Sequence, residues 1–214
     1  DKLVTGVQTC ALPISPAFAQ AYPGPAFGIA GTRALAGVPH APLIGTIIKP
    51  SVGLSVADTA RMVDELCTAG IDFIKDDELQ ADGPACPFEE RVRLCMQVIR
   101  RHAERTGRKV MYAFNLTGEL DEMRHRHDWA LSQGASAVML SLNSVGLAGF
   151  TAFRRHCQLP IHAHRNGWGY VQSLVYGEGE YAAGRRAQTQ AEGNYTVLQG
   201  GGGQRFEEIG RAHV

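Results

Sequence analysis

Short apolar segments alternate with longer amphipathic segments between Leu43 and Arg165. The apolar segments predict five strands, over residues 43–49, 71–75, 110–115, 137–142 and 161–164. The segments between them carry apolar residues at helical spacing and predict four helices, over residues 56–69, 88–105, 119–133 and 147–157. Strands that alternate with helices in this way predict parallel pairing through right-handed crossovers.

Polar residues and glycines indicate where these helices begin and end. Ser55 precedes the first helix and is followed three residues later by Asp58, which is the spacing of a capping box. Gly70, Gly107 and Gly134 follow the first three helices, and glycine commonly ends a helix because it adopts a left-handed conformation without strain.

Two α/β architectures fit this alternation, a doubly wound sheet and a (β/α)8 barrel. The strands are apolar throughout, which is typical of strands buried on both faces. No GxGxxG follows the first strand, and this absence disfavours a dinucleotide-binding sheet. Polar residues follow several strands, and in a barrel these carboxyl ends meet at one face. An intact barrel takes about 250 residues, so the alternating segment accounts for little more than half of one.

The composition is typical of a folded globular domain and shows no signature of nucleic-acid or membrane binding. The chain has 214 residues, of which 44% are hydrophobic and 20% charged, and its formal net charge is zero. A balanced charge gives no footprint for nucleic acid, and no apolar run reaches the roughly 20 residues of a membrane-spanning helix. We therefore expect neither nucleic acid nor membrane as a partner. Five scattered cysteines without a CxxC pair indicate a reducing, cytoplasmic location.

Both ends of the chain are expected to be non-native. Residues 208–214 and 9–15 can be encoded by opposite strands of one DNA string, which resembles a common sequencing-library adapter. We therefore expect residues 1–15 to be adapter-derived and the barrel domain to span residues 16–170. The alternation stops after Tyr170, so residues 171–214 are predicted to be a frameshifted or chimeric tail that ends in adapter sequence.

A cluster of charged residues follows the second predicted strand: Lys75, Asp76, Asp77 and Glu78. Carboxylate oxygens are ligands that Mg²⁺ prefers. Because side chains alternate along a strand, Lys75 and Asp77 point to one side, and Glu78 joins them if the strand ends there. An ammonium group has no lone pair, so Lys75 becomes a ligand only if CO2 converts its amine to a carbamate. The alternative interpretation is a solvated, charged loop.

Lys49 ends the first predicted strand. Near a metal ion, burial and the charge of the cation would push this lysine toward its neutral form. A neutral amine at that place could take a proton from a carbon next to a carbonyl group. The alternative is a lysine on the protein surface.

Histidines occur in two different settings. His162 and His164 lie two residues apart on the fifth predicted strand, which puts both on one face, and Arg165 follows them. An arginine at this place suits binding of a phosphate or carboxylate group. His125 and His127 lie in a charged helical segment and are expected to be solvated.

Three motifs at these positions resemble signature segments of the RuBisCO large subunit, and more closely those of the RuBisCO-like proteins. They are TIIKP followed by GLS (46–50 and 53–55), DFIKDDE (72–78) and IHAHR (161–165). The segment GPAFGI (24–29) also resembles the part of the family that leads into the barrel. The resemblance covers about residues 16–170 and implies a partial (β/α)8 TIM barrel that contains about strands 1–5.

The resemblance also implies roles for individual residues. It implies that Lys75 is carbamylated and that Asp77 and Glu78 complete an Mg²⁺ site. It implies catalytic roles for Lys49, as the proton-transfer lysine, and for His164. It further implies that three residues contact the sugar-phosphate substrate: Arg165, His162 and Asn115.

Two positions depart from RuBisCO itself. Ser51 stands where RuBisCO has a second lysine, and Leu79 stands where it has asparagine after the metal-binding glutamate. Segments 79–84, 112–118 and 141–146 instead resemble the RuBisCO-like proteins of apionate breakdown, which act on 3-oxo-isoapionate 4-phosphate as a decarboxylase or as a transcarboxylase/hydrolase. We therefore expect an Mg²⁺-dependent enzyme that cleaves a carbon–carbon bond in a phosphorylated keto sugar acid through a metal-bound enolate.

Other functions stay open from the sequence. The runner-up is an enolase or isomerase of the methionine-salvage type, followed by ribulose-bisphosphate carboxylase. Because family active sites are shared between subunits, the resemblance also implies a homodimer or a higher homo-oligomer. A partial barrel with open sheet edges is expected to associate and to be inactive by itself.

Overall fold

The computed structural model describes residues 16–21, 25–166 and 197–198. The predicted non-native segment 1–15 lies outside these residues, as does the predicted tail 171–214 except for residues 197 and 198. None of the helices in the described ranges is both long enough and apolar enough to cross a membrane.

The strands form one sheet, with the bounds β1 Gly45–Ile47, β2 Phe73–Lys75, β3 Met111–Asn115, β4 Ala137–Ser141, β5 Ile161–His164 and β6 Val197–Leu198. The strands β1 to β5 are parallel neighbours in the order in which they occur along the chain. A doubly wound sheet reverses its strand order at a switch point, and this sheet does not. The order therefore confirms the partial barrel. The short β6, which the sequence pattern did not predict, pairs antiparallel with β5.

The helices have the bounds α1 Pro16–Ala21, α2 Gly28–Ala36, α3 Val56–Ala69, α4 Phe88–Thr106, α5 Leu120–Ser132 and α6 Leu142–His156. The helices α3 to α6 follow β1 to β4, as predicted. Ser55 begins α3 as expected, since its Oγ accepts a hydrogen bond from the Asp58 N–H at 3.1 Å. Gly146 interrupts α6 with a φ of 73°, so the uninterrupted part of that helix begins near the predicted residue 147.

Two apolar cores lie on opposite faces of the sheet. The larger core fills the space between the strands and the helices α3 to α6, and it includes Ile74, Tyr112 and Val138. The smaller core lies on the other face, called here the inner face, and contains Ala36, Leu43, Met111, Ala113, Ala137 and Met139. The unpredicted α2 contributes Ala36 to this core. The residues that this helix buries are small, so its sequence shows little contrast between apolar and polar positions.

Strand alternation decides which side chains reach each face. In the register of β2 and β3, Lys75 is paired with Ala113, and in that of β4 and β5, Ser141 is paired with His164. Residues paired in a parallel sheet project to the same face, so Lys75 and His164 share the inner face with Ala113. The carboxyl ends of β1 to β5 therefore present their polar side chains on the inner face, where the candidate site lies.

Candidate active site

The structure brings together five of the predicted site residues at the carboxyl ends of β1, β2 and β5: Lys49, Lys75, Asp77, Glu78 and His164. The Lys49 Nζ lies 2.5 Å from the Asp77 Oδ2. The His164 Nε2 lies 3.7 Å from the Glu78 Oε2. Lys75 lies within electrostatic range of both carboxylates and of Lys49. The five side chains thus form one cluster, although β1 and β5 are separated by three strands.

Lys75 extends from the end of β2 into this cluster and is largely buried. Its Nζ donates to the Asp76 carbonyl oxygen at 2.9 Å and lies 3.8 Å from the Met139 Sδ. Burial lowers the pKa of Lys75, against the opposing effect of the neighbouring carboxylates. CO2 reacts only with an unprotonated amine, so a lowered pKa favours the carbamylation that the resemblance implies.

Asp77 and Glu78 supply two carboxylates to the cluster. The Asp77 side chain is inaccessible to solvent. Its Oδ1 accepts a hydrogen bond from the Leu79 N–H at 2.9 Å. Burial opposes ionisation of Asp77, but the hydrogen bonds from Lys49 and Leu79 outweigh it and lower the pKa of the carboxyl group. Asp77 therefore stays ionised, as a ligand of a divalent cation must be.

These residues fit Mg²⁺ on one condition. Asp77 and Glu78 offer oxygen atoms, and hard cations prefer oxygen. Lys75 fits as a third ligand only in its carbamylated form, which replaces a cation by an anionic oxygen donor. The donor set is then three anionic groups from four successive positions of the chain.

Lys49 corrects one expectation. Burial and the charge of a nearby cation were expected to push this lysine toward its neutral form, but its side chain is 56% exposed, so burial does not have this effect. The hydrogen bond with Asp77 instead raises the pKa of Lys49, with a smaller opposing contribution from desolvation. The amine also donates to the Ser51 Oγ at 3.0 Å. In the folded chain, Asp77 therefore favours the protonated form of Lys49, and the effect of a bound cation on this lysine stays a prediction.

His162 and His164 lie on the inner face of β5, as strand alternation predicted. The ring of His162 stacks at 5.7 Å on Phe73 and at 6.2 Å on His164. Burial lowers the pKa of both histidines, and the nearby Lys75 adds to the effect. Both rings are therefore neutral near pH 7. Arg165 follows directly and is partly buried.

Asn115 lies at the carboxyl end of β3, where it was predicted to contact substrate. Its Nδ2 donates to the carbonyl oxygens of Asp77 and Glu78, at 3.2 and 3.1 Å. Its Oδ1 accepts hydrogen bonds from the N–H and the hydroxyl of Thr117. These contacts hold the backbone of residues 76–86, called here the carboxylate loop, and a contact with substrate stays a prediction.

A buried hydrogen-bond network that was not predicted from the sequence lies behind the cluster. Asp76 points away from the inner face, and its carboxylate contacts Arg91 and Tyr112. Strand alternation could have predicted this direction, because Asp76 has the parity of the outward-facing Ile74. Arg91 could also have been noticed, since it is a charged residue on the apolar face of α4 next to Val92.

His127 is a second correction. Its charged helical segment predicted a solvated side chain, but the residue is fully buried, whereas His125 is exposed as expected. The nitrogens of His127 and His156 and the carboxylate of Asp128 lie within 4.8 Å of one another, which is compatible with a metal site. However, the Gln158 N–H donates to the His127 Nε2 at 3.1 Å. The proton of a neutral ring is then on Nδ1, facing Asp128, and no lone pair is left for a metal.

Known proteins match most of this chain. The family model of the ribulose bisphosphate carboxylase large chain, catalytic domain, matches residues 28–181. The 3-oxo-isoapionate-4-phosphate transcarboxylase/hydrolase of Xanthobacter autotrophicus is 60% identical over 168 residues, which cover 78% of this chain and 41% of that protein. The 3-oxo-isoapionate-4-phosphate decarboxylase of Rhizobium etli is 44% identical over 168 residues, or 78% and 40% of the two chains. The chain thus spans about two fifths of the length of these relatives.

A relative with a different activity is more distant. The 2,3-diketo-5-methylthiopentyl-1-phosphate enolase of Microcystis aeruginosa is 39% identical over 139 residues, which cover 64% of this chain and 36% of the enolase.

Solved structures share the fold. A RuBisCO-like protein from Burkholderia fungorum superposes with a TM-score of 0.73 at 48% identity, covering 78% of this chain and 41% of that one. A dimeric archaeal RuBisCO from Hyperthermus butylicus superposes with a TM-score of 0.69 at 30% identity, covering 74% and 37%. These matches confirm the resemblance that the three motifs indicated.

Proposed function

This chain belongs to the ribulose bisphosphate carboxylase large-chain family, and we propose that it is part of a RuBisCO-like enzyme that breaks a carbon–carbon bond in a phosphorylated keto sugar acid. The convergence of Lys75, Asp77 and Glu78 with Lys49 and His164 is the observation that carries this proposal. The two relatives that act on 3-oxo-isoapionate 4-phosphate support that compound as the substrate.

The proposed cofactor is Mg²⁺. It would be held by the carboxylates of Asp77 and Glu78 and by a CO2-derived carbamate on Lys75. A bound Mg²⁺ supplies positive charge beside the substrate oxygens on which negative charge develops.

Lys49 is the proposed proton donor. When the carbon–carbon bond breaks, its electron pair stays on a substrate carbon, which must then receive a proton. Lys49 is suited to this step because its amine forms a hydrogen bond with Asp77 at the edge of the proposed cation site. Its exposed position leaves the amine accessible to a substrate in the site.

The residues of β5 are proposed to bind the substrate. His164 is neutral and directs Nε2 toward Glu78, so this nitrogen can exchange a proton or a hydrogen bond with a substrate oxygen. Arg165 follows at the same edge of the sheet, and its planar guanidinium suits the phosphate group. The ring of His162 stacks on the ring of His164 and helps to hold it in place.

Two alternatives within the family are less well supported. Ribulose-bisphosphate carboxylation is disfavoured by Ser51 and Leu79, which replace a lysine and an asparagine of RuBisCO. A methionine-salvage enolase is disfavoured by the lower identity of that relative. We further propose that the enzyme assembles as a homo-oligomer in the cytoplasm, in line with the dimeric neighbour.

The test compares two substrates with the full-length protein that contains this chain. We expect Mg²⁺-dependent cleavage of 3-oxo-isoapionate 4-phosphate and no turnover of 2,3-diketo-5-methylthiopentyl 1-phosphate. Lys75→Met should abolish the cleavage, while Lys109→Met, a substitution of an exposed lysine outside the site, should leave it unchanged. Turnover of the methylthio compound alone would overturn the proposal.

A further inference from the structure

A fully buried arginine forms hydrogen bonds with both ends of the carboxylate loop. Arg91 lies on α4, and its Nη1 donates to the Cys86 carbonyl oxygen at 2.8 Å. Its Nη2 donates to the Ala81 and Gln80 carbonyl oxygens at 2.8 and 3.3 Å, and to the Asp76 Oδ2 at 3.2 Å. One guanidinium group therefore joins the start of the loop, at Asp76, to its end, at Cys86.

Asp76 connects this arginine to the next strand. Its Oδ1 accepts a hydrogen bond from the Tyr112 hydroxyl at 2.6 Å, and its Oδ2 accepts one from the Asn115 N–H at 2.8 Å. The side chains of Asp76 and Arg91 are both inaccessible to solvent. Burial and the Asp76 carboxylate raise the pKa of Tyr112, so the phenol keeps its proton and remains a donor.

Stability alone is a poor reason for this arrangement. The desolvation of two buried charges opposes their attraction, and well-packed apolar residues are often at least as stable. What the ion pair does define is direction. Because side chains alternate along the chain, fixing Asp76 on the helix side turns Lys75 and Asp77 toward the inner face.

We propose that Asp76, Arg91 and Tyr112 are positioning residues that hold Lys75, Asp77 and Glu78 in a geometry able to bind a divalent cation. None of the three residues would touch substrate. They act through the backbone of the carboxylate loop, as groups behind a metal site orient its ligands. The inference deepens the proposed function and rests on it for the identity of the site.

The first test measures loop order without metal, by amide hydrogen exchange of the 214-residue chain at a concentration where light scattering shows one species. The variants are Tyr112→Phe, which removes one hydroxyl, and Arg91→Lys, which keeps the charge but not the fork of donors. The amides of Leu79, Gln80 and Asn115 should exchange about tenfold faster in both, since each variant loses at least one buried hydrogen bond.

His127→Phe is the matched control, because it removes two partly buried hydrogen bonds of a buried side chain but lies on α5, away from the carboxylate loop. It should lower global stability without accelerating exchange at Leu79 or Gln80. Equal acceleration in the control, or unchanged exchange at these amides in a folded Tyr112→Phe chain, would overturn the inference.

The second test measures the metal itself. Binding of Mn²⁺ is followed by electron paramagnetic resonance in the presence of bicarbonate, with Mn²⁺ as the probe for Mg²⁺. Both network variants should bind it about 10- to 100-fold more weakly than the unsubstituted chain, the usual effect of groups behind a metal site, and the control should not. Undiminished affinity in both variants would contradict the inference. If the unsubstituted chain binds no Mn²⁺, the proposed function fails, and hydrogen exchange still decides whether the network orders the loop.

Discussion

At the scale of single residues, the alternation of side chains at the end of β2 separates the residues of the candidate site from the buried residue behind it. Lys75 and Asp77 face the inner side of the sheet, whereas Asp76 between them faces the helices. Three adjacent charged residues therefore take different roles, which their composition does not distinguish. The environment of each group then decides its protonation: burial acts on Lys75, and a carboxylate acts on Lys49.

The burial of Lys75 leads to a prediction about its modification. With ¹³C-bicarbonate, the 214-residue chain should show a carbamate resonance in its ¹³C NMR spectrum near neutral pH, because burial lowers the pKa of this amine and increases its unprotonated fraction. Lys75→Met should remove the resonance, and Lys109→Met should preserve it because that lysine is exposed. A resonance that survives Lys75→Met would show that another amine is modified.

At the scale of elements, side chains between helices hold the outer layer together. Asp128 on α5 accepts a hydrogen bond from His127 at 2.9 Å and contacts the His156 Nε2 at the end of α6 at 2.8 Å. His127 also packs edge-on against Phe153 of α6. The two helices are thus joined at the level where the chain turns into β5, the strand that carries His162 and His164.

This helix contact predicts a pH dependence of stability. The hydrogen bond from His127, with a smaller effect of His156, lowers the pKa of Asp128 below its ordinary value of 3.8. The folded state therefore holds this proton less tightly than the unfolded state, so the contribution to stability is present above pH 3.8 and is lost as the pH falls through the lower, folded pKa.

Urea unfolding measures this contribution. Because Asp128 is largely exposed, it should amount to roughly 0.2–1 kcal/mol. Asp128→Asn should reduce the loss of stability on acidification below pH 3.8 by that amount. Asp121→Asn is a suitable control, because Asp121 pairs with Arg124 on an exposed part of the same helix. An identical acid profile for Asp128→Asn and the unsubstituted chain would contradict the prediction.

At the scale of the whole molecule, the described residues form one side of a barrel. Five parallel strands follow one another in chain order, and within the described ranges β1 pairs with β2 alone. The curated relatives are about two and a half times as long as the matched segment. The matched segment therefore corresponds to about two fifths of each of those proteins.

We expect the 214-residue chain alone to show no Mg²⁺-dependent turnover of 3-oxo-isoapionate 4-phosphate, although it should bind Mn²⁺ at the carboxylate cluster. The physical reason is that one wall can hold a cation but does not enclose a substrate or exclude water from it. A coupled assay for released CO2 and for the shortened sugar phosphate measures this. Turnover that Lys49→Met abolishes would contradict the expectation.

The helices and strands and their order could be predicted from the sequence, because the spacing of apolar residues and the residues at helix ends are local properties of the chain. The strands and helices from residue 43 to 165 were predicted within a few residues, and the partial barrel followed from the resemblance. Lys49, Lys75, Asp77, Glu78 and His164 could also be chosen in advance, since each stands at a strand end within a recognisable motif.

Burial and contacts that involve residues far apart along the chain could be seen only in the folded structure. The exposure of Lys49, the burial of His127 and the contacts of Arg91 with a loop ten residues earlier arise only when strands and helices pack. A pKa responds to burial and to nearby charges, and residues far apart along the chain supply both. The role of α2 also became clear only in the folded chain, where Ala36 belongs to the same apolar core of the inner face as Met111 and Met139.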